Sequence, residues 1–303
     1  MASIALLFPG QGAQFVGMGE GLLAKSPASQ KLFDEAREIL GFDLLQLCLA
    51  GPTDQLNRTE FSQPALYVYS LAAFGYLLEQ RPQLWDSVRA VAGLSLGEFT
   101  AITVAGGLKF ADGLRLVQTR ALAMQAAADQ VSSGMSSIIG LEVEKLRAVC
   151  REATSGMEFV EVSNLLCPGN IAISGHIPAV ERAEAAAVAA GAMKAVRLAV
   201  AGAFHTALMQ PAVGRLSEAL SQATFQKPRV PVYANVDATA HDDPEEIRGL
   251  LARQIISPVL WEDTLRNLLS AGHDAFIEIG AGKVLAGTLK RVERKAVCES
   301  AGD

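Results

Sequence analysis

The sequence predicts an α/β fold in which a smaller subdomain is inserted into a larger one. Short apolar, β-branched runs alternate with helical patterns over residues 1–131, and the same alternation resumes over 201–295. Between them, residues 132–200 follow the order strand, helix, strand, strand, helix, strand. That order is the split βαβ arrangement of small ferredoxin-like domains. The last residues, 296–303, are predicted to form a disordered tail.

The first part begins with a strand and a glycine-containing loop. The loop Pro9-Gly10-Gln11-Gly12 follows the strand directly. A dinucleotide-binding fingerprint is excluded because Phe15 occupies the position of its third glycine. The predicted elements of this part are a strand at 4–8, helices around 19–24, at 30–40 and at 65–79, a strand at 88–92 and helices at 98–105 and 112–128.

The inserted part and the return to the larger subdomain contain the remaining predicted elements. In the insert these are a strand at 136–140, a helix at 144–153, strands at 159–166 and 170–174, a helix at 178–190 and a strand at 194–200. After it come a helix at 211–223, a strand at 230–235, helices at 244–254 and 261–269, a strand at 275–278 and a helix at 283–294.

Composition excludes several classes of protein. The chain has 303 residues and a net charge of −6, which argues against a nucleic acid or an anionic membrane surface as partner. No apolar run reaches the roughly 20 residues of a membrane span. The four cysteines lack metal-ligand spacing, so we predict no metal site and a reducing intracellular compartment.

A G-x-S-x-G motif at 93–97 carries the strongest chemical signal. It lies between a predicted strand and a predicted helix, so Ser95 would occupy a strained turn with its hydroxyl exposed. The amides at the start of the helix would face the same point and could stabilise an oxyanion. The alternative is a chance match in a glycine-rich chain. The strand–turn–helix context favours a nucleophilic serine.

A serine nucleophile needs a general base, and the chain has four histidines. His205 is the best choice because an apolar strand and turn lead into it. The alternative is a histidine that only fills the core or a turn. No acidic residue flanks His205, so a backbone carbonyl or an amide is expected to orient its imidazole instead.

Arg120 lies on an apolar helix stripe with Leu116 and Met124. A guanidinium in such a place must pair with an anion or reach solvent. One possibility is an internal salt bridge. The other is a clamp for a substrate carboxylate, which the planar guanidinium suits.

These motifs, taken in order with the loop at 9–12 and the segment Arg253-Gln254-Ile255-Ile256-Ser257-Pro258-Val259-Leu260-Trp261, resemble the malonyl-CoA:acyl carrier protein transacylase family. The resemblance covers roughly residues 3 to 295. It implies an α/β-hydrolase-like large subdomain with an inserted ferredoxin-like small subdomain, in agreement with the predicted order of elements.

The resemblance also implies roles for individual residues. Ser95 would be the acylated nucleophile and His205 its base. Arg120 would bind the malonyl carboxylate. Gln11 and the backbone amide of Leu96 would form the oxyanion hole.

Four further residues take their roles from the same resemblance. The main-chain carbonyl of Gln254 would orient the histidine, and Asn164 would contact the substrate. Lys290 and Arg291, in a basic final helix, would dock an acidic acyl carrier protein. An ordinary solvated helix end is the alternative for these two.

The implied reaction moves malonyl from malonyl-CoA to an acyl carrier protein through a malonyl-serine ester, a ping-pong scheme with no cofactor beyond the CoA substrate. It would supply type II fatty acid synthesis, and the family precedent favours a monomer.

Immediately before the nucleophile, this chain has Leu94 where many bacterial members have a histidine. The motif with leucine resembles that of the plant and green-algal plastid branch. This predicts a chloroplast stromal enzyme without its transit peptide, the alternative being a bacterial cytoplasmic one. A serine esterase or thioesterase, or a non-catalytic carrier-binding protein, are the rival functions.

Overall fold

A computed structural model describes residues 3–302 and arranges their strands in two sheets. The strands are β1 (Ile4–Phe8), β2 (Val88–Gly93), β3 (Ser133–Ile139), β4 (Val160–Cys167), β5 (Asn170–His176), β6 (Lys194–Arg197), β7 (Val232–Tyr233), β8 (Ala240–His241), β9 (Val259–Leu260), β10 (Ala275–Ile279) and β11 (Val297–Ala301). The helices are α1 (Glu20–Leu23), α2 (Pro27–Leu40), α3 (Leu44–Ala50), α4 (Thr53–Asn57), α5 (Thr59–Gln80), α6 (Leu96–Val104), α7 (Phe110–Ala128), α8 (Val143–Ala153), α9 (Ile177–Ala189), α10 (Gln210–Gln222), α11 (Pro244–Gln254), α12 (Trp261–Ser270) and α13 (Val284–Val292).

The larger sheet has the strand order β11-β10-β1-β2-β7-β8 and is parallel except for the pairing of β7 with β8. Both of its faces are buried, as expected for a parallel sheet. In β1, Leu6 and Phe8 pack into a core with α5, α6 and α7. Ala5 and Leu7 point the other way, into a second core with α12 and α13. Across residues 3–302, no helix has the length and apolar character needed to traverse a lipid bilayer.

The smaller sheet has the order β6-β3-β5-β4-β9. Its first four strands come from residues 133–197, inside the predicted insert, and pair antiparallel. Helices α8 and α9 pack against them around Leu146, Ile173 and Val180. The fifth strand, β9, comes from the larger subdomain and pairs parallel with β4, so the two subdomains are joined by backbone hydrogen bonds as well as by the chain.

The predicted disordered tail at 296–303 is wrong for its described part. Val297–Ala301 forms β11, which pairs parallel with β10 along five residues. An ion pair between Arg81 and Glu299 and a hydrogen bond from the Tyr69 hydroxyl to the Gly302 carbonyl hold the strand in place. The segment is a half-exposed edge strand, so it lacks the apolar run that identifies a buried strand. Asp303 lies outside the described residues.

Candidate active site

Ser95 occupies a sharp turn between β2 and α6. Its backbone has φ 49° and ψ −100°, and a positive φ is found in only a few per cent of non-glycine residues. The flanking glycines permit this path: a Cβ on Gly93 would lie 1.9 Å from the backbone carbon of Gly97, and one on Gly97 would lie 2.1 Å from the carbonyl oxygen of Phe8. The predicted strained turn is therefore present, and glycine is required on both sides of it because no side chain fits at either position.

His205 lies beside the serine hydroxyl. Its Nε2 is 2.8 Å from Ser95 Oγ, and its Nδ1 is 2.9 Å from the main-chain oxygen of Gln254. A carbonyl only accepts, so Nδ1 carries the proton and Nε2 is left to accept from the serine hydroxyl. Burial and the positive charge of Arg120 lower the pKa of His205 to about 4. The imidazole is therefore neutral at neutral pH, as a general base must be.

The predicted contact of Gln254 with the histidine is thus present, and a carbonyl holds the place that an acid takes in many serine hydrolases. His205 also has an unusual backbone, with φ 63°. Ser95 and His205, which contact each other, are therefore both held in strained backbone conformations by the surrounding structure.

Arg120 lies directly behind the serine. Its side chain is only 1 % exposed, and the apolar stripe predicted for its helix is buried. Nη2 donates to Ser95 Oγ and to Gln254 Oε1, both at 2.9 Å, and Nη1 donates to Gln63 Oε1 at 2.8 Å. These partners are neutral, so the alternative of an internal salt bridge is not what holds the guanidinium.

Glu98 supplies the opposite charge nearby. It lies on the first turn of α6, and its Oε2 accepts from Gln254 Nε2 at 2.7 Å and from the Asn235 amide at 3.0 Å. Burial raises the pKa of Glu98 to about 7 and lowers that of Arg120 to about 10. Each charge opposes the shift of the other, which is what two buried groups of opposite sign do.

Asn235 braces the turn from the end of β7. Its side chain accepts from the Ser95 amide at 2.6 Å and donates to the Gly93 carbonyl at 2.7 Å. Asn235, Glu98 and Gln63 are site residues that the sequence motifs do not predict. A signal existed for Glu98, since a carboxylate in the apolar helix Leu96–Val104 needs a partner.

A cleft of about 250 Å³ opens in front of Ser95 and His205, between the two subdomains. Gln11 lines it, and its side chain bonds Thr59 and Gln63, each at 3.3 Å. Asn164 lines it from β4. Its Oδ1 is buried and has no hydrogen-bond partner within residues 3–302, so it is an acceptor that a ligand could use.

The amide of Leu96 stands at the first position of α6, where helix amides lack internal partners. Helix α13 borders the cleft through Val284, Leu285 and Thr288. Lys290 and Arg291 lie exposed in the last turn of that helix. Arg291 donates to the Pro168 carbonyl at 2.8 Å, so part of its role is to tie α13 to the small subdomain.

Residues 5–303 match the family model described as the acyl transferase domain. The chain belongs to the acyl transferase domain family. Among relatives, it is 42 % identical to a human mitochondrial malonyl-CoA-acyl carrier protein transacylase, over 96 % of this chain and 77 % of that protein. It is 41 % identical to a Salmonella typhimurium malonyl CoA-acyl carrier protein transacylase, over 96 % and 93 % of the two chains.

Solved structures of similar proteins agree with the fold of this acyl transferase. An acyl carrier protein S-malonyltransferase from Vibrio cholerae superposes with a TM-score of 0.92 at 37 % identity, covering 100 % of this chain and 97 % of the other. A malonyl-transacylase solved in complex with its type II PKS acyl-carrier protein gives 0.95 at 37 %, covering 100 % and 96 %. The predicted α/β fold with a large and a small ferredoxin-like subdomain is confirmed.

Proposed function

We propose that this acyl transferase moves malonyl from malonyl-CoA to the phosphopantetheine thiol of an acyl carrier protein, through a malonyl ester on Ser95. The observation that carries the proposal is the 2.9 Å contact between Arg120 Nη2 and Ser95 Oγ. A fixed, buried positive charge beside the nucleophile suits an acyl group that bears a free carboxylate. A neutral acyl group would leave the guanidinium with no anion in direct contact, since Glu98 reaches it only through the Gln254 side chain.

Arg120 offers one edge of its guanidinium to the incoming carboxylate. Nε and Nη2 form that edge; Nε has no partner within residues 3–302, while Nη2 bonds Ser95 Oγ and Gln254. The malonyl carboxylate would bind this edge with two parallel hydrogen bonds in place of the serine hydroxyl. The hydroxyl is released at the moment that it becomes the attacking group.

Acylation follows from the histidine's tautomer. Nε2 of His205 accepts the Ser95 proton while Oγ attacks the thioester carbonyl, and Gln11 with the Leu96 amide stabilises the oxyanion. The C–S bond then breaks, and His205 returns the proton to the CoA thiolate. The malonyl ester of Ser95 and free CoA are the products.

Deacylation repeats these steps with a different thiol. The carrier's phosphopantetheine thiol gives its proton to His205 and attacks the ester, and Ser95 Oγ leaves with that proton. Each half moves one acyl group and one proton, so the scheme needs neither a metal nor a redox cofactor. Asn164, whose Oδ1 lies unpartnered in the cleft, would accept from the substrate.

The carrier would dock beside α13. Lys290 and Arg291 are exposed basic residues on the helix that borders the cleft, and an acidic carrier is attracted to such a surface despite the net charge of −6. A similar transacylase is solved with its acyl-carrier protein, which supports this partner. A single-enzyme chain of this kind would supply type II fatty acid synthesis.

We further propose a chloroplast stromal location and a monomeric state. Leu94, immediately before the nucleophile, supports the first, while the similar relatives include bacterial and mitochondrial proteins. Immunoblots of stromal and mitochondrial fractions from the source cell test it, and detection only in mitochondria would contradict it. Sedimentation equilibrium tests the monomer, which a dimer mass would contradict.

Intact-mass spectrometry tests the proposed reaction. The protein is incubated with malonyl-CoA, freed of excess reagent, and divided between buffer and holo acyl carrier protein. We expect a malonyl adduct that persists in buffer and moves to the carrier. An adduct lost to water at the same rate in both samples would indicate an esterase or thioesterase, and no adduct would indicate a non-catalytic carrier-binding protein.

A further inference from the structure

The amide of Gln254 is held in one orientation by its neighbours. Nε2 donates to Glu98 Oε2 at 2.7 Å and to the Ser95 carbonyl at 3.0 Å, which uses both of its hydrogens. Oε1 accepts from Arg120 Nη2 at 2.9 Å. A flipped amide would set an oxygen against two acceptors and an NH₂ against a guanidinium, so each of the three contacts opposes it.

Glu98 is the acidic member of this arrangement. Its side chain is buried, and Oε2 accepts from Gln254 Nε2 and from the Asn235 amide. When the Glu98 carboxyl is ionised, its hydrogen bonds are about twice as strong as those to a neutral acceptor. The Glu98 carboxylate therefore holds Gln254 Nε2 more strongly than the neutral Ser95 carbonyl does, and Gln254 in turn aligns the guanidinium of Arg120.

We infer that Glu98 is a positioning residue that sets the preference for acyl groups bearing a carboxylate. It acts through the Gln254 side chain on Arg120, and it touches neither the acyl group nor the reacting atoms. The inference rests on the proposed function, since it concerns which acyl group Arg120 accepts. The route is separate from that of His205, which uses only the main-chain oxygen of Gln254.

A double-mutant cycle with Glu98→Ala and Gln254→Ala tests the route, because Gln254→Ala keeps the main-chain oxygen that orients His205. The measured quantity is the ratio of kcat/KM for malonyl-CoA to that for acetyl-CoA, from the rate of Ser95 acylation. We expect each single variant to lower this ratio on the order of tenfold, mainly through KM for malonyl-CoA. The double variant should lower it no further than the larger single effect.

Conservative variants separate positioning from folding. In Glu98→Gln the amide oxygen can accept the same two N–H groups, so we expect the ratio to stay within about threefold of the wild type. Glu98→Asp, one methylene shorter, should lower the ratio in a folded protein even if Glu98→Ala does not fold. Thr103→Val is the matched control, because Thr103 lies on α6 like Glu98 but its hydroxyl is 2.9 Å from that of Tyr67 on α5. Its loss of a hydrogen bond should leave the ratio unchanged.

Any of these results would overturn the inference: equal losses for both acyl groups in Glu98→Ala, additive effects in the double variant, or a wild-type ratio in Glu98→Asp. A ratio in Glu98→Gln as low as in Glu98→Ala would do so as well. The wild-type protein separates this failure from failure of the proposed function. If it transfers malonyl but the ratio ignores Glu98, only the inference is wrong.

Discussion

Ser95 and His205 both have a positive φ, at 49° and 63°. Such backbone conformations cost on the order of 1–3 kcal/mol each and persist only where the surroundings impose them. Asn235 supplies much of that constraint at Ser95, through hydrogen bonds on both sides of the turn. The strain keeps the hydroxyl and the imidazole 2.8 Å apart before any substrate arrives.

Replacing Arg120 by alanine tests the carboxylate clamp. The loss of a charge-assisted pair should reduce the transition-state stabilisation measured by kcat/KM for malonyl-CoA by about 2–5 kcal/mol. The ratio of kcat/KM for acetyl-CoA to that for malonyl-CoA should therefore rise. Acylation rates with the two thioesters give the measurement. Arg115→Ala on the same helix, where the side chain is 61 % exposed and paired with Asp112, serves as the control. Unchanged selectivity in Arg120→Ala would show that Arg120 does not bind the malonyl carboxylate.

The pH dependence of acylation follows from His205. A base acts only when unprotonated, and a pKa lowered from 6.5 to about 4 keeps it unprotonated through the neutral range. We expect kcat/KM for acylation by acetyl-CoA to be level from pH 7 to about 5 and to fall as the pH drops through about 4. Acetyl-CoA is used because Glu98, whose pKa burial raises to about 7, would change the binding of a substrate carboxylate over the same pH range.

The acid limb should also respond to Arg120, whose positive charge contributes to lowering this pKa. In Arg120→Ala the fall should therefore begin at a higher pH than in the wild type. Acetyl-CoA is the substrate for this comparison, because it has no carboxylate to lose. A limb centred near 6.5 in the wild-type protein would contradict the buried, neutral imidazole.

At the residue scale, Ser95, His205 and Arg120 could be predicted because each breaks a local pattern: a glycine-flanked serine, a histidine after an apolar strand, a cation on an apolar stripe. Asn235 and Gln63 break none. They act through hydrogen bonds to elements far away in the chain, and a single sequence does not show which distant polar groups meet.

A substitution at Gly97 tests whether the turn between β2 and α6 needs its close approach to the end of β1. A Cβ at this position would lie 2.1 Å from the Phe8 oxygen and 2.9 Å from the Pro9 oxygen, both backbone atoms with little freedom to move. We expect Gly97→Ala to cost about 3 kcal/mol of unfolding free energy or more, measured by urea denaturation, and to abolish acylation.

The control is Gly214→Ala in the exposed face of α10, where nothing lies within 4 Å of the added carbon. That substitution should raise the unfolding free energy by about 0.5–1 kcal/mol. A Gly97→Ala protein as stable and active as the wild type would show that β2 and α6 do not need this close approach.

Helix α13 carries the prediction for carrier docking. Lys290→Glu should slow malonyl transfer to the carrier several-fold at low salt and leave acylation by malonyl-CoA unchanged. The two half-reactions are measured separately from the appearance and loss of the adduct. Lys31→Glu, an exposed lysine on α2, is the charge-matched control. Equal effects of the two substitutions on transfer would move the docking surface elsewhere.

The sequence predicts long helices and strands better than short ones. The helix α7 and the strands β1 and β10 follow from strong periodicity or apolar runs. The two-residue strands β8 and β9 exist only because of pairing with partners distant in the chain or across a turn. Likewise β11 is defined by β10, and its own sequence is too polar to indicate a buried strand.

At the scale of the whole molecule, the pairing of β9 with β4 fixes where the cleft lies. It places Asn164, opposite Val259, at the seam between the subdomains, while the larger sheet delivers Ser95 at the end of β2. The order of elements predicts two subdomains, but not this seam, because no local pattern marks a strand that crosses from one to the other.

The central claim is that the acyl group is held on Ser95 as an ester. The most direct test is peptide mapping by mass spectrometry after brief incubation with malonyl-CoA and acid quench. We predict one malonyl group on the peptide that contains Ser95, and none anywhere in Ser95→Ala. A malonyl group on another residue, or the same adduct in Ser95→Ala, would contradict the account.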